Sequence, residues 1–128
     1  MTGKILISDD EPHIRRLIEQ SLEELEDEGV EILSTADGQE AIDRITQEAP
    51  DLIILDVMMP KINGFDVCER VKSDDRLRSA YVMLLTAKGQ EYDRLRGEQV
   101  GADRYMTKPF DPDELLAFVR EILAARAG

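Results

Sequence analysis

The 128-residue chain has the length of one domain, and 42% of its residues are hydrophobic, which is enough to form a buried core. Its formal net charge of -12 argues against direct binding to nucleic acid or to an anionic membrane surface, since both need basic residues. The single cysteine, Cys68, excludes an intramolecular disulfide, and no apolar run reaches the roughly 20 residues of a membrane span. Because the first residues lead directly into a strand, we expect no signal peptide and a cytoplasmic location.

Strand-like and helix-like patterns alternate from the first residues to the last. The predicted strands cover 4–8, 30–35, 52–55, 81–85 and 104–107. The first predicted helix covers 11–27 and should bury a face formed by Ile14, Leu17, Ile18, Ser21, Leu22 and Leu25. A second helix opens at Asp37-Gly38 and ends before Pro50, and a third follows the turn signal Asn63-Gly64. A polar fourth helix at 90–99 has only Tyr92, Leu95 and Val100 to mark a buried side, and a fifth begins at Asp111-Pro112.

Five strands that alternate with five flanking helices predict an α/β fold, a doubly wound parallel sheet, in one domain over residues 1–128. Polar side chains follow the apolar runs of four strands: Asp9 and Asp10, then Asp56, Thr86 and Lys108. In an open parallel sheet, ligands bind at the carboxyl ends of the strands. Three acids, a hydroxyl and an amine at that edge predict a site for a divalent metal ion and a phosphoryl group.

Five stretches of the chain resemble the response-regulator receiver domain of two-component signalling, as found in chemotaxis regulators. They are Ser8-Asp9-Asp10-Glu11-Pro12, Asp56-Val57-Met58-Met59-Pro60 followed by Asn63-Gly64, Thr86-Ala87, Gly101-Ala102-Asp103 and Lys108-Pro109-Phe110. Each stretch alone is a weak signal, whereas all five in this order are specific. The resemblance implies a flavodoxin-like fold with strand order 2-1-3-4-5, in which the first and third strands are neighbours.

The resemblance also implies a role for each acid. Asp56 would be the phosphoacceptor, and the cofactor would be Mg²⁺. Asp10 and Asp56 would ligate the metal directly, Asp9 would help through a water molecule, and the backbone carbonyl of Met58 would add a ligand. The side chain of Met58 and the residue at position 88, Lys88, would tune the lifetime of the phosphorylated state.

The remaining site residues would sense or stabilise the phosphoryl group. Lys108 would contact it as a mobile cation, held before Pro109 by a cis peptide bond. Thr86 would donate its hydroxyl to a phosphoryl oxygen, and Tyr105 would turn inward as the switch aromatic. The output would be a changed surface formed by the fourth helix, the fifth strand and the fifth helix.

By the same resemblance, the donor would be a histidine kinase or a phosphotransfer protein of a phosphorelay, and a downstream effector or an output domain would receive the signal. The domain would catalyse only its own phosphorylation and slow dephosphorylation, so it is not expected to be an enzyme with a separate substrate. Phosphorylation-dependent homodimerisation stays open. Two alternatives also stay open: a Mg²⁺-dependent phosphohydrolase with an aspartate nucleophile, and a binding module that is never phosphorylated. The hydrolase is disfavoured because such enzymes usually carry a second aspartate where this chain has Met58.

Overall fold

The chain folds into a five-stranded sheet with helices on both faces. The structure is a computed structural model that describes residues 2–87 and 91–127. The strands are β1 (Gly3–Ser8), β2 (Val30–Thr35), β3 (Leu52–Asp56), β4 (Tyr81–Ala87) and β5 (Arg104–Lys108). The helices are α1 (Pro12–Ser21), α2 (Glu23–Asp27), α3 (Gly38–Glu48), α4 (Gly64–Ser73), α5 (Glu91–Val100) and α6 (Pro112–Ala127). The predictions for Lys88, Gln90 and the side chain of Tyr92 lie outside the described part of the chain.

The sheet has the order β2-β1-β3-β4-β5, and all of its strand pairs are parallel. The predicted α/β class, parallel sheet and strand order are therefore confirmed. Ser8 of β1 pairs with Leu55 of β3, so the residues that follow them lie together at the carboxyl ends of these two central strands. This arrangement places Asp9 and Asp56 in adjacent positions.

Two apolar clusters cover the two faces of the sheet, because successive strand residues point to opposite sides. One cluster contains Leu55 and Leu84 and is completed by α3, α4 and the buried end of α5. The other contains Ile54 and Leu85 and is completed by α1, α2 and α6. The core residues of the three central strands are fully buried, as expected for a parallel sheet covered on both sides. This packing fixes the strand ends that carry the polar groups.

The first helix differs from its prediction, since the described residues form six helices and not five. The predicted helix at 11–27 is interrupted at Leu22, which separates α1 from α2. The Ser21 hydroxyl donates to the Leu17 carbonyl at 2.7 Å, a side-chain bond that competes with helical bonding and bends helices. The predicted buried face is also narrower than expected, because Leu17 is 37% exposed.

The buried side of α5 also differs from its prediction. Leu95 is 61% exposed, whereas Gly97 and Val100 are buried. Positions 95 and 97 are two residues apart, which corresponds to about 200° around a helix, so the two positions lie on opposite sides. The buried side of α5 is therefore lined in part by a glycine, which hydrophobic periodicity does not detect. Among the described residues, no helix is both long and apolar enough to cross a membrane.

Candidate functional site

Four carboxylates meet at the carboxyl edge of the central strands. Asp9 follows β1 and is 0% exposed, and Asp56 ends β3 and is 3% exposed. Asp10 and Glu11 are exposed residues of the loop that leads into α1. One carboxylate oxygen from each of the four lies within 4.8 Å of all the others. The structure thus brings together the three acids that were predicted at this edge.

Glu11 is the member of this cluster that the sequence reasoning did not assign to the site. The predicted helix begins at Glu11, and the structure makes this residue the N-cap of α1, one position before Pro12. Its backbone N–H donates to Asp9 Oδ1 at 2.9 Å, so the loop turns back towards the sheet and carries the Glu11 side chain with it. Its position directly after Asp9 and Asp10 was the available signal.

Lys108, the last residue of β5, places its ammonium group beside this cluster. Its Nζ lies 3.2 Å from Asp56 Oδ1, 3.3 Å from Asp9 Oδ2 and 3.5 Å from Glu11 Oε1. The lysine side chain therefore reaches past β4 and β3 to an acid that follows β1. Lys108 contacts three of the four carboxylates, and Arg15 Nη1 donates to the backbone carbonyl of Asp9 at 2.6 Å. The four carboxylates still outnumber these two cations, so the cluster keeps an excess of negative charge.

Burial and charge repulsion make the ionised form of Asp56 unfavourable. Burial, and next the nearby negative charge of Asp9, raise the pKa of Asp56 to about 6, although Lys108 acts in the opposite direction. For Lys108, burial opposes the charged ammonium form, but the charges of Asp56 and Asp9 outweigh it and raise the pKa of the lysine. A second cation at this site would relieve the repulsion that remains.

The loop after Asp56 is held by contacts with two neighbouring segments. The backbone N–H of Met58 points towards Asp56 Oδ1 at 3.4 Å, while the Met58 side chain is 76% exposed. Further along, the N–H of Gly64 donates to the Val57 carbonyl at 2.9 Å, and the N–H of Gly38 donates to the Pro60 carbonyl at 3.3 Å. These bonds fix the backbone of the segment that includes Met58.

At both of these contacts the space is too small for any residue other than glycine. A Cβ atom on Gly64 would lie 2.9 Å from the Cα of Val57, and one on Gly38 would lie 2.6 Å from the carbonyl carbon of Ile62. The obstructing atoms belong mainly to the backbone, which cannot rotate away as the end of a side chain can. The loop that follows Asp56 is therefore packed directly against the starts of α3 and α4.

The other predicted site residues lie on β4, on β5 or directly after β5. Thr86 is buried near the end of β4, between Leu85 and Ala87, which both line the cavity beside the acids. The Lys108–Pro109 peptide bond is cis. Tyr105 is half-buried and faces α5, where its hydroxyl donates to the Arg94 carbonyl at 2.8 Å.

The cavity suits a small divalent cation with bound water. It has a volume of about 590 Å³ and is lined by Asp10, Glu11, Ile14, Asp56, Val57, Met58, Leu85, Ala87, Lys108 and Pro109. Carboxylate oxygens are hard ligands that suit Mg²⁺, an ion that usually keeps several waters and takes only one or two protein carboxylates. The ionised form of Asp56, which burial and the charge of Asp9 make unfavourable, and the converging acid oxygens both fit such an ion. These residues could hold the metal that the sequence predicts.

Comparison with known proteins agrees with this geometry. A family model described as the response regulator receiver domain matches residues 5–120. The chain is 42% identical, over 96% of its length and 49% of the relative, to the alkaline phosphatase synthesis transcriptional regulatory protein PhoP of Bacillus subtilis (strain 168). It is 44% identical, over 94% of its length and 48% of the relative, to the DNA-binding dual master transcriptional regulator RpaA of Synechocystis sp.. The chain thus spans about half the length of these two relatives.

Solved structures show the same similarity in three dimensions. The receiver domain of the sensor histidine kinase PA1611 from Pseudomonas aeruginosa PAO1 is described with a magnesium ion coordinated in its active site cleft. It superposes with a TM-score of 0.85 and 25% sequence identity, covering 97% of this chain and 99% of that one.

Proposed function

The chain belongs to the response regulator receiver domain family, and on this premise we propose that it is a signalling switch that accepts a phosphoryl group on Asp56. One observation carries the proposal: a 3% exposed carboxylate at the end of the central strand, held 3.2 Å from a lysine ammonium and surrounded by acids. A structural ion pair would not require three further carboxylates to converge on the same point.

The metal assignment follows the same residues. Asp10, Asp56 and the Met58 carbonyl would hold Mg²⁺, and Asp9 would act through water. The magnesium ion described in the PA1611 receiver domain supports the choice of metal. When bound, the ion would supply positive charge that balances the phosphoryl oxygens. Glu11 shares the cluster and would bind water around the metal or pair with Lys108.

The chain's own residues would carry out the transfer by position and charge. The ionised Asp56 carboxylate would form a bond to phosphorus while the bond from phosphorus to the donor nitrogen breaks, and the electron pair would stay on that nitrogen. A pKa of about 6 leaves most of Asp56 ionised at pH 7, as this attack requires. Lys108 Nζ, already beside Asp56 Oδ1, would move onto the new phosphoryl oxygens. Thr86 would donate its hydroxyl to the same group.

The proposed partners follow from the family. A histidine kinase or a phosphotransfer protein would be the donor, in the cytoplasm, and the output would be a changed surface on α5, β5 and α6. The two named relatives are transcriptional regulators about twice as long as this chain, which supports an output domain as the recipient of the signal. With a net charge of -12, this domain would not contact nucleic acid itself. A phosphorylation-dependent homodimer is one form that the output could take.

Intact-mass spectrometry after incubation with acetyl phosphate tests the proposal. We expect one added phosphoryl group on the wild-type protein, only with Mg²⁺, and none on Asp56→Asn. Asp75→Asn is the matched control, because the Asp75 side chain is 90% exposed, and it should be phosphorylated like the wild type. A Mg²⁺-dependent adduct on Asp56→Asn would refute the assignment of the acceptor.

The two alternatives predict other results. Multiple turnover of a phosphomonoester such as p-nitrophenyl phosphate would indicate a phosphohydrolase. Absence of an adduct together with absence of beryllofluoride binding would leave only the unphosphorylated binding module.

A further inference from the structure

A glycine occupies the middle of the buried side of α5. Glycine is unfavourable within a helix because it loses more conformational freedom than alanine, so its presence there needs a reason. Gly97 is buried, and a Cβ atom on it would overlap the Tyr105 hydroxyl and ring carbon Cζ and lie 2.9 Å from Cε2. The end of the tyrosine ring fills the space that any other side chain at position 97 would need.

The same end of the ring is hydrogen-bonded to the helix. The Tyr105 hydroxyl donates to the carbonyl oxygen of Arg94, one turn before Gly97, at 2.8 Å. We call the Arg94 carbonyl and the Cα surface of Gly97 the tyrosine seat. It combines a polar contact for the hydroxyl with a steric opening for the ring, and both come from one helix.

The register of the sheet connects this seat to the site. Tyr105 lies beside Leu84 and Thr107 lies beside Thr86 in the β4–β5 pair. Neighbouring residues of paired strands share a face, and so do residues two apart. Tyr105 and Thr86 therefore belong to the face of the sheet that α5 covers, and the tyrosine packs against the cluster that contains Leu84. A ring that leaves the seat can move along this face towards Thr86 without crossing the sheet.

We propose that Gly97 is a positioning residue that holds Tyr105 outward in the seat and thereby sets the equilibrium of the switch. The inference rests on the proposed function, in which Tyr105 turns inward when Asp56 is phosphorylated. An alanine methyl group at position 97 would occupy the place of the ring, so the outward position would be lost. Activation would then no longer have to release Tyr105 from the seat, and the apparent affinity for an activating ligand would rise.

The first experiment examines the seat in the unphosphorylated protein by NMR. Nuclear Overhauser effects between the Tyr105 ring protons and the Gly97 α-protons are expected in the wild type. In Gly97→Ala, the ring should show none to the new methyl group and should move towards Leu84 and Thr86. Glu98→Ala, at the exposed neighbouring position of the same helix, should leave the ring contacts unchanged. A wild-type ring without contact to Gly97 would overturn the proposal.

The second experiment measures activation, which a merely structural role of Gly97 would not alter. The protein is titrated with beryllofluoride at fixed Mg²⁺, and amide chemical shifts report binding. Gly97→Ala should lower the half-saturating concentration about fivefold, the effect of removing one ordinary hydrogen bond from the inactive state. Glu98→Ala should match the wild type. In a Tyr105→Leu background, Gly97→Ala should have no further effect, because the residue it acts through is gone.

The outcomes separate this inference from the function on which it rests. If the wild type binds beryllofluoride and Gly97→Ala binds it with the same affinity, only the role of Gly97 is refuted. An equal effect of Gly97→Ala with and without Tyr105 would also refute it, since the substitution would then act through the helix. Wild type that does not bind beryllofluoride would remove both the proposed function and the switch role of the seat.

Discussion

Replacement of Asp56 by asparagine should stabilise the metal-free protein at neutral pH, although it removes the proposed acceptor. Asparagine has the shape of a protonated carboxyl group and carries no charge. The folded protein raises the pKa of Asp56 from 3.8 to about 6, chiefly through burial and then through Asp9. Each tenfold change in an ionisation constant corresponds to about 1.4 kcal/mol, so ionised Asp56 costs the folded state about 3 kcal/mol at pH 7.

The gain in stability of Asp56→Asn over the wild type should increase with pH. A folded-state pKa above the unfolded value means that the folded protein binds the proton more tightly between pH 3.8 and about 6. The contribution of Asp56 to stability is therefore greatest below pH 3.8 and is lost as the pH rises through about 6. Relative to the wild type, Asp56→Asn should gain about 3 kcal/mol at pH 7 and about half as much at pH 5.

Urea denaturation followed by circular dichroism, with EDTA present, measures this difference at both pH values. Asp75→Asn is the control for loss of one negative charge, and it should change the free energy of unfolding by less than about 0.5 kcal/mol. Saturating Mg²⁺ should reduce the advantage of Asp56→Asn, because an ion at ten times its Kd stabilises the wild type by about 1.4 kcal/mol. The electrostatic reasoning would be refuted if Asp56→Asn were no more stable than the wild type at pH 7. It would also be refuted if the gain in stability at pH 5 equalled the gain at pH 7.

Three further predictions concern Lys108, Met58 and Cys68. Lys108→Ala removes a cation from a cluster of acids and should lower the stability of the metal-free protein at pH 7 by about 1–3 kcal/mol. Mg²⁺ should restore part of this loss. Unchanged unfolding in urea would contradict the prediction. Met58→Asn should shorten the lifetime of the phosphorylated protein, measured as decay of the mass adduct, because the apolar side chain would shield the acyl phosphate from water. An unchanged lifetime would exclude that role. Burial raises the pKa of Cys68 to about 12, so its thiol should react with Ellman's reagent in urea but not in the native protein. Rapid native reaction would show that the cysteine is accessible.

The sheet and most of the acid cluster could be predicted because they depend on strong local patterns. Apolar runs of three to five residues define β1, β3 and β4. A polar residue at the end of such a run lies at the carboxyl end of the strand, where ligands bind. The convergence of Asp9 and Asp56 needed one further premise, the strand order, which came from resemblance to a family and not from periodicity. Once β1 and β3 are neighbours, the register of the two strands brings Asp9 and Asp56 together.

The features that were missed depend on contacts that apolar periodicity does not detect. The interruption at Leu22 accompanies a hydroxyl bond within one helix, and helical periodicity continues across it. The burial of Gly97 reflects a ring that arrives from β5, and glycine carries no hydrophobic signal of its own. The membership of Glu11 depends on a loop that turns back onto Asp9. The periodicity of apolar residues reveals none of these contacts.

Among the described residues, three glycines in helices have little room around them, and they differ in what an added methyl group would meet. At Gly38 and Gly64 the obstacle includes backbone atoms of the loop after Asp56, which cannot give way without displacing the site. At Gly97 the obstacle is the end of one side chain, which can rotate elsewhere. Substitution of Gly38 or Gly64 in this chain should therefore displace the site. Position 97 gives evolution a single-residue means of adjusting how readily such a domain responds while its fold is preserved.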